Sequence, residues 1–176
     1  MTTYFCRKCW AEVDPKDANC RRCGASLTEG DGEDFVADLI AALRHPAPHN
    51  RRHAAWILGE LRAQAALPAL TAATGTKSDP DLLEGVAEAL GKIGGDEAVE
   101  GLQRLLRGSY LSVRAKAVEA LGRIEGQRAT DALHEALNDP NGVVRNLAAE
   151  ALRQRGEGSR AAEGQTGLAN GEGGDE

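Results

Sequence analysis

The sequence predicts a mainly α protein: a solenoid of four stacked helical hairpins, a small metal-stabilised module ahead of it and a disordered tail behind. Three observations carry this. A leucine recurs at Leu58, Leu90, Leu121 and Leu152, at intervals of 32, 31 and 31 residues. All four cysteines of the 176-residue chain fall within "YFCRKCWAEVDPKDANCRRCGASL", residues 4–27. The last 21 residues hold seven glycines and no apolar period.

The cysteine segment comes first in the chain. Its spacing is Cys6-x2-Cys9-x10-Cys20-x2-Cys23. Two residues between paired cysteines make a tight turn whose backbone N–H groups point at the sulfurs, and two such turns supply four thiolates, the closed tetrahedral set that structural zinc prefers. The turn signal "DPKD" lies between the pairs and lets the chain fold back. Gly24 follows the last cysteine, where a positive φ is often needed. A segment this short buries too little apolar surface to fold unaided, and the metal supplies the missing free energy, about 10–16 kcal/mol in small finger peptides. Two disulfides, free thiols or four-sulfur iron are the competing readings. With its four cysteines, Gly24 and Leu27, the segment resembles the short zinc-ribbon family, which implies a Zn²⁺ site at Cys6, Cys9, Cys20 and Cys23. Trp10 stands where that family usually has glycine.

"TEGDGED", residues 28–34, reads as an acidic linker, with the expected ribbon over 1–27. From Phe35 the pattern is helical. A second set of markers, Leu39, Leu70, Leu102 and Leu133, keeps the same period ahead of the first set. Two markers sharing one period over four cycles mean stacked helical hairpins. The breakers "HPAP", "SDP", "GSY" and "DPNG" separate the two helices of each unit. In the second helices the apolar residues fall three and four apart, as at Val113, Ala117, Leu121 and Ile124, a stripe that must pack on neighbouring units. Gly59, Gly91 and Gly122 follow three of the leucines and point to close contact or a helix end.

"SVRAKAVEALG" and "NGVVRNLAAEALR" make residues 35–155 resemble the HEAT-like repeats of phycobilisome lyases and related proteins. The resemblance implies a four-unit HEAT-like solenoid with an arginine at Arg51, Arg114 and Arg145. Leu83 replaces it in the second unit, and only the fourth unit has an aspartate–proline pair, Asp139 and Pro140, at the matching distance. An Asp–Arg ladder along the stack is therefore expected to be incomplete. Arg153 and Arg155 take the places of glycine and an aliphatic residue in the last unit, as suits a water-facing end cap. Residues 156–176 are expected to be a disordered tail.

Several functions find no support in the residues. One branch of the repeat family is a di-iron hydroxylase with paired His-Glu motifs, but this chain has one such pair, His134-Glu135, in a first helix. His45, His49 and His53 recur every fourth residue, yet Pro46 and Pro48 forbid one helix through all three. No phosphate loop or nucleophile elbow is visible, and the expectation is a protein without catalytic activity. The net charge of −6 argues against nucleic acid as the main partner. Basic residues flank the cysteines, but the ribbon's side-chain charge of +2 is cancelled by four thiolates around a divalent ion. No apolar run is long enough for a membrane helix, and no signal core opens the chain, so the expected location is the cytoplasm.

The second helices of such stacks usually line the concave side. There Trp56, Glu88, Glu119 and Glu150 occupy one repeating position, with Arg52 one helical turn before Trp56. Exposed tryptophan and arginine are typical of binding hot spots. Arg52 and Trp56 are expected to form an aromatic–cation pair, and the three glutamates an acidic ladder able to receive a basic peptide. The competing role for Trp56 is packing beneath the ribbon. The function expected from all this is a protein-interaction adaptor or scaffold. A nucleic-acid-associated factor using the ribbon, and an accessory lyase or chromophore-binding protein, are the alternatives.

Overall fold

The computed structural model describes residues 4–6, 8–9, 11–14, 16–27, 32–75 and 79–166, with the side chains of 4–5, 32–34 and 157–166 left aside. Among these residues the chain is mainly α. A two-stranded antiparallel ribbon, β1 (Tyr4–Phe5) and β2 (Glu12–Val13), pairs Tyr4 with Val13. Eight α-helices follow. The first hairpin is α1 (Gly32–Ala42) and α2 (Pro48–Glu60). The second is α3 (Leu67–Ala73), entered through a 3₁₀ turn at Gln64–Ala66, and α4 (Pro80–Ile93). The third is α5 (Asp96–Leu106) and α6 (Leu111–Arg123), and the fourth α7 (Gln127–Ala136) and α8 (Gly142–Thr166). The boundary expected at residue 156 falls within α8, and residues 167–176 of the expected tail lie outside the described residues, as do 28–31 of the expected linker.

The sequence periods and the packing coincide. Leu39, Leu70, Leu102 and Leu133 of the first helices are fully buried, as are Leu58, Leu90 and Leu121 of the second. Leu152, in the last of the described units, is half-buried. The core is continuous from Leu39 to Ala148 and wholly aliphatic. The second helices form one layer, in which α2, α4, α6 and α8 pack in series.

The glycines set how closely that layer packs. A Cβ on Gly59 would lie 2.8 Å from the Ala89 Cα, and one on Gly91 would lie 2.8 Å from the Ala120 Cβ. One on Gly122 would lie 3.3 Å from the Ala151 Cβ. The residue after each marker leucine thus meets the alanine before the next one. Close contact, rather than a helix end, is their role.

Arginines tie the units along the turn edge. Arg51 donates through Nη1 to the carbonyls of His45 (3.1 Å) and Pro46 (3.4 Å), and through Nη2 to Asp79 of the next unit (2.8 Å). Arg114 repeats this, donating to the carbonyls of Gly108 and Ser109 (both 3.2 Å) and through Nε to Asp139 (2.8 Å). Arg145 holds the carbonyls of Asp139 (2.7 Å) and Pro140 (3.0 Å). Each arginine therefore closes its own turn, and two of the three reach forward. Asp79 lies two residues nearer its marker leucine than Asp139 does, off the matching distance, yet performs the same pairing. Its carboxylate also caps α4 by accepting the Leu82 N–H at 2.9 Å. The step between the second and third units lacks the link, since Leu83 is buried in the arginine's place.

Arg155 departs from its expected water-facing role. It turns inward, donates to Thr130 Oγ1 at 2.8 Å and caps α6 at the carbonyls of Leu121 and Ile124. The last carbonyls of a helix have no partner within it, and a long guanidinium fork is well shaped to supply one. Arg153 stays exposed and pairs with Glu150.

Two outcomes follow from this packing. Gly91→Ala should lower stability by up to about 2 kcal/mol, because overpacking costs about 1–3 kcal/mol and the gain in helix propensity offsets about 1 kcal/mol of it. Gly122→Ala, with 0.5 Å more room, should stay within about 0.5 kcal/mol of the parent. Urea denaturation of the two variants decides the ordering, and equal effects would mean the layer is not limited by these contacts. The second outcome concerns acid. The Leu82 N–H and Arg51 hold Asp79 below the usual carboxylate range. At Asp139 burial works the other way but is outweighed by Arg114 and the Asn141 N–H, so its value is also lowered. A depressed carboxylate contributes stability that is complete above its unfolded value, near pH 4, and is lost as pH falls through the folded value. Urea midpoints should therefore drop below about pH 4. Arg114→Ala should cost about 3 kcal/mol at neutral pH and flatten that drop, because it leaves a buried carboxylate unpaired.

Candidate metal centre and interaction groove

The ribbon folds around its sulfurs. Cys6 N–H donates to Ala11 O at 2.9 Å, and Cys20 N–H donates to Ala25 O at 2.8 Å, so each Cys-x-x-Cys turn is closed in the same way. Gly24 has φ +72°, a conformation side chains disfavour, and its N–H donates to Cys20 O at 2.8 Å. Between the pairs, Asp14 accepts the Lys16 N–H on its side chain and the Asp17 N–H on its carbonyl, the turn read from "DPKD". Trp10 and Pro15 lie outside the described residues.

The four thiols converge. Cys6 Sγ lies 3.6 Å from Cys23 Sγ, Cys9 Sγ lies 3.5 Å from Cys20 Sγ, and all four sulfurs lie within 4.8 Å of one another. A disulfide needs about 2.05 Å, and all four cysteines are free thiols. A tetrahedral ion with metal–sulfur bonds of about 2.3 Å would set sulfur–sulfur edges of about 3.8 Å, close to the spacing found. Cys6 and Cys20 are buried beneath the turns. The Cys23 and Arg22 N–H groups pull Cys20 down to about 6, while burial pushes Cys9 up to about 12. Metal binding would thus displace protons from the thiols that hold them. Four sulfurs fill a tetrahedral shell, so an ion held there has no position left for substrate.

The other feature is a groove of about 750 Å³ between α2 and α4. Arg52, His53 and Trp56 form one wall, with Pro48 and His49 at the end of α2, and Asp81, Gly85 and Glu88 supply the other. Trp56 is 47% exposed. Its ring neighbour is His53, edge-on with centroids 5.6 Å apart, rather than Arg52. Arg52 instead lays its stem over α4, where a Cβ on Gly85 would meet its Cγ at 3.4 Å. Gly85 leaves room for that stem. Among the described residues neither the Arg52 guanidinium nor the Trp56 N–H has a partner.

The glutamates are not bare. Glu88 accepts from Lys92 at 2.7 Å, which also holds Glu60 at 2.7 Å across the unit boundary. That lysine keeps Glu88 low, and Glu60 and Glu88 together raise Lys92. Glu119 pairs with Lys116, and Glu150 with Arg153. Glu119 and Glu150 stand on α6 and α8, outside the groove. The structure brings Arg52, Trp56 and Glu88 together, and adds His49, His53, Asp81 and Gly85, which sequence reasoning did not assign. The signal was available. His49 and His53 share a face four residues apart once His45, which lies before α2 and accepts the Ala47 N–H, is set aside.

The family description for HEAT repeats matches residues 36–112 and 102–164, and the chain belongs to that family. No curated protein matches the sequence. Among solved structures, an engineered protein is similar at 25% identity and TM-score 0.45, over 66% of this chain and 60% of its own. The chain thus spans less than two thirds of that protein's length. The complex of CpcE and CpcF of phycocyanin lyase from Nostoc sp. PCC7120 is similar at 23% identity and TM-score 0.48, over 77% of this chain and 69% of its own. That likeness corrects the expectation of a protein without catalytic activity. No helix among the described residues is long and apolar enough to cross a membrane.

The two halves of the chain predict different responses to metal removal. The core of the stack contains no cysteine, so chelation should leave the far-UV helical signal in place while the ribbon unfolds. Elemental analysis of reduced protein should find one ion per chain. Loss of all helicity on chelation, or no bound metal, would contradict the separation.

Proposed function

We propose that the chain is a protein-interaction scaffold whose second-helix face binds a partner, with a structural zinc ion in the Cys6, Cys9, Cys20 and Cys23 ribbon. HEAT repeats mediate protein interactions, which supports the general reading. The single observation that carries the location is Trp56: a large apolar ring, 47% exposed, in a groove beside an unpaired arginine. Glu88, Glu119 and Glu150 extend the surface along α4, α6 and α8. Reduced thiols and a zinc ribbon suit a cytoplasmic protein.

Affinity capture from the native cell, with the parent chain and Trp56→Ala side by side, tests this reading. The partner should be lost at least thirtyfold from the variant, the scale of a hot-spot residue, with zinc content and helicity unchanged. If Trp56 serves the ribbon instead, affinity will hold while proteolysis near residues 30–32 accelerates. Salt-dependent retention on nucleic acid would move the function to the ribbon. A coloured preparation would favour an accessory lyase or chromophore-binding role.

A further inference from the structure

The groove between α2 and α4 has an imbalance that indicates what it holds. On the second helices, Arg51, Lys92, Arg114, Lys116 and Arg153 each hold a carboxylate, Arg145 and Arg155 hold backbone carbonyls, and Arg123 is exposed outside the groove. Arg52 holds no carboxylate, although the chain as a whole is acidic at −6. Its stem is fixed over Gly85, so its head group is positioned without being neutralised. His49 and His53 stand on the same wall, a turn apart on either side of it. Trp56 completes that wall with an exposed ring held edge-on by His53. On the facing wall stand two carboxylates, Glu88, engaged by Lys92, and Asp81, and among the described residues neither is in contact with Arg52. The unmet needs are one carboxylate and one flat apolar contact, about one helical turn apart.

We infer that the groove binds an acidic peptide segment of a partner protein, one that presents a carboxylate to Arg52 and an adjacent apolar or aromatic side chain to Trp56. The inference rests on the scaffold reading above and narrows it. It differs from the expectation of a basic peptide: Glu119 and Glu150 are each paired with a cation, and Glu88 shares Lys92 with Glu60. Charge complementarity selects the occupant. The guanidinium is a rigid bidentate donor for a carboxylate, and Arg52 is exposed and open to one. Asp81, at the first turn of α4, then disfavours segments carrying a second carboxylate on the far side.

A random peptide display selection on the full zinc-loaded chain tests this. Enriched sequences should carry Asp or Glu next to an aromatic or large aliphatic residue. Binding of the best synthetic peptide should weaken at least tenfold with Arg52→Gln and at least thirtyfold with Trp56→Ala. Selection on Arg52→Glu should shift the enriched charge from acidic to basic. Should Trp56→Ala fail to fold, Trp56→Phe takes its place. Enriched peptides that need Trp56 but have no acid, or that survive Arg52→Gln, overturn the acidic partner and leave the scaffold reading intact. Peptides insensitive to both residues, or no enrichment, overturn both.

Discussion

The structure depends on how closely one second helix can lie against the next. Gly59, Gly91 and Gly122 remove the side chain at the point of nearest approach, and Ala89, Ala120 and Ala151 fill the space with the smallest one available. Helix axes can then come together at the short end of the usual 8–10 Å range, and dispersion contacts along the backbone replace bulky interdigitation. This is how a chain with only 3% aromatic residues builds a continuous core. The large buried side chains, Leu58, Leu90 and Leu121, sit immediately beside the glycines, so close approach and apolar filling are set by adjacent positions in each unit.

The polar edge of the stack solves a different problem. A turn between antiparallel helices leaves carbonyls without partners. Arg51, Arg114 and Arg145 each take two of them, five and six residues back. Having closed its own turn, a guanidinium still has donors to spare, and the aspartate of the next unit uses them at Arg51 and Arg114. Leu83 fills the same place with an apolar side chain, and the third turn offers Tyr110 and Leu111 in place of an aspartate. Both partners of the link are missing at one step, so no buried charge is left alone.

How much of this could be read from the residues follows from what is local. The repeat period, the helical hairpins and the cysteine turns are written in spacing, and the leucine markers landed in the core because spacing fixes which face of a helix is buried. Asp79 was missed because alignment by distance assumes equal turns, whereas a carboxylate can reach one point from two backbone positions. The inward turn of Arg155 depends on α6 ending beneath it, a fact about a helix 31 residues earlier. The groove was half legible. Arg52 and Trp56 share a face by their spacing, and the cations beside Glu88, Glu119 and Glu150 stand three or four residues along the same helices, a local signal, but the glycine floor under Arg52 and the reach of Lys92 to Glu60 involve neighbours on other helices.

The last unit also determines what the molecule cannot become. A row of helices joined by a glycine-to-alanine contact could in principle continue from one molecule into another, giving head-to-tail filaments. Midway along α8, Arg153 stands where the glycine would be needed, with its guanidinium held by Glu150. An incoming α2 from a second copy would meet a charged, anchored side chain several ångströms tall where the native neighbours meet backbone. At the other end of the row Ile57 stands where the alanine would be needed, so neither half of the contact is present on the two faces that would have to join, and the pattern that makes the units cohere within a chain is not repeated between chains.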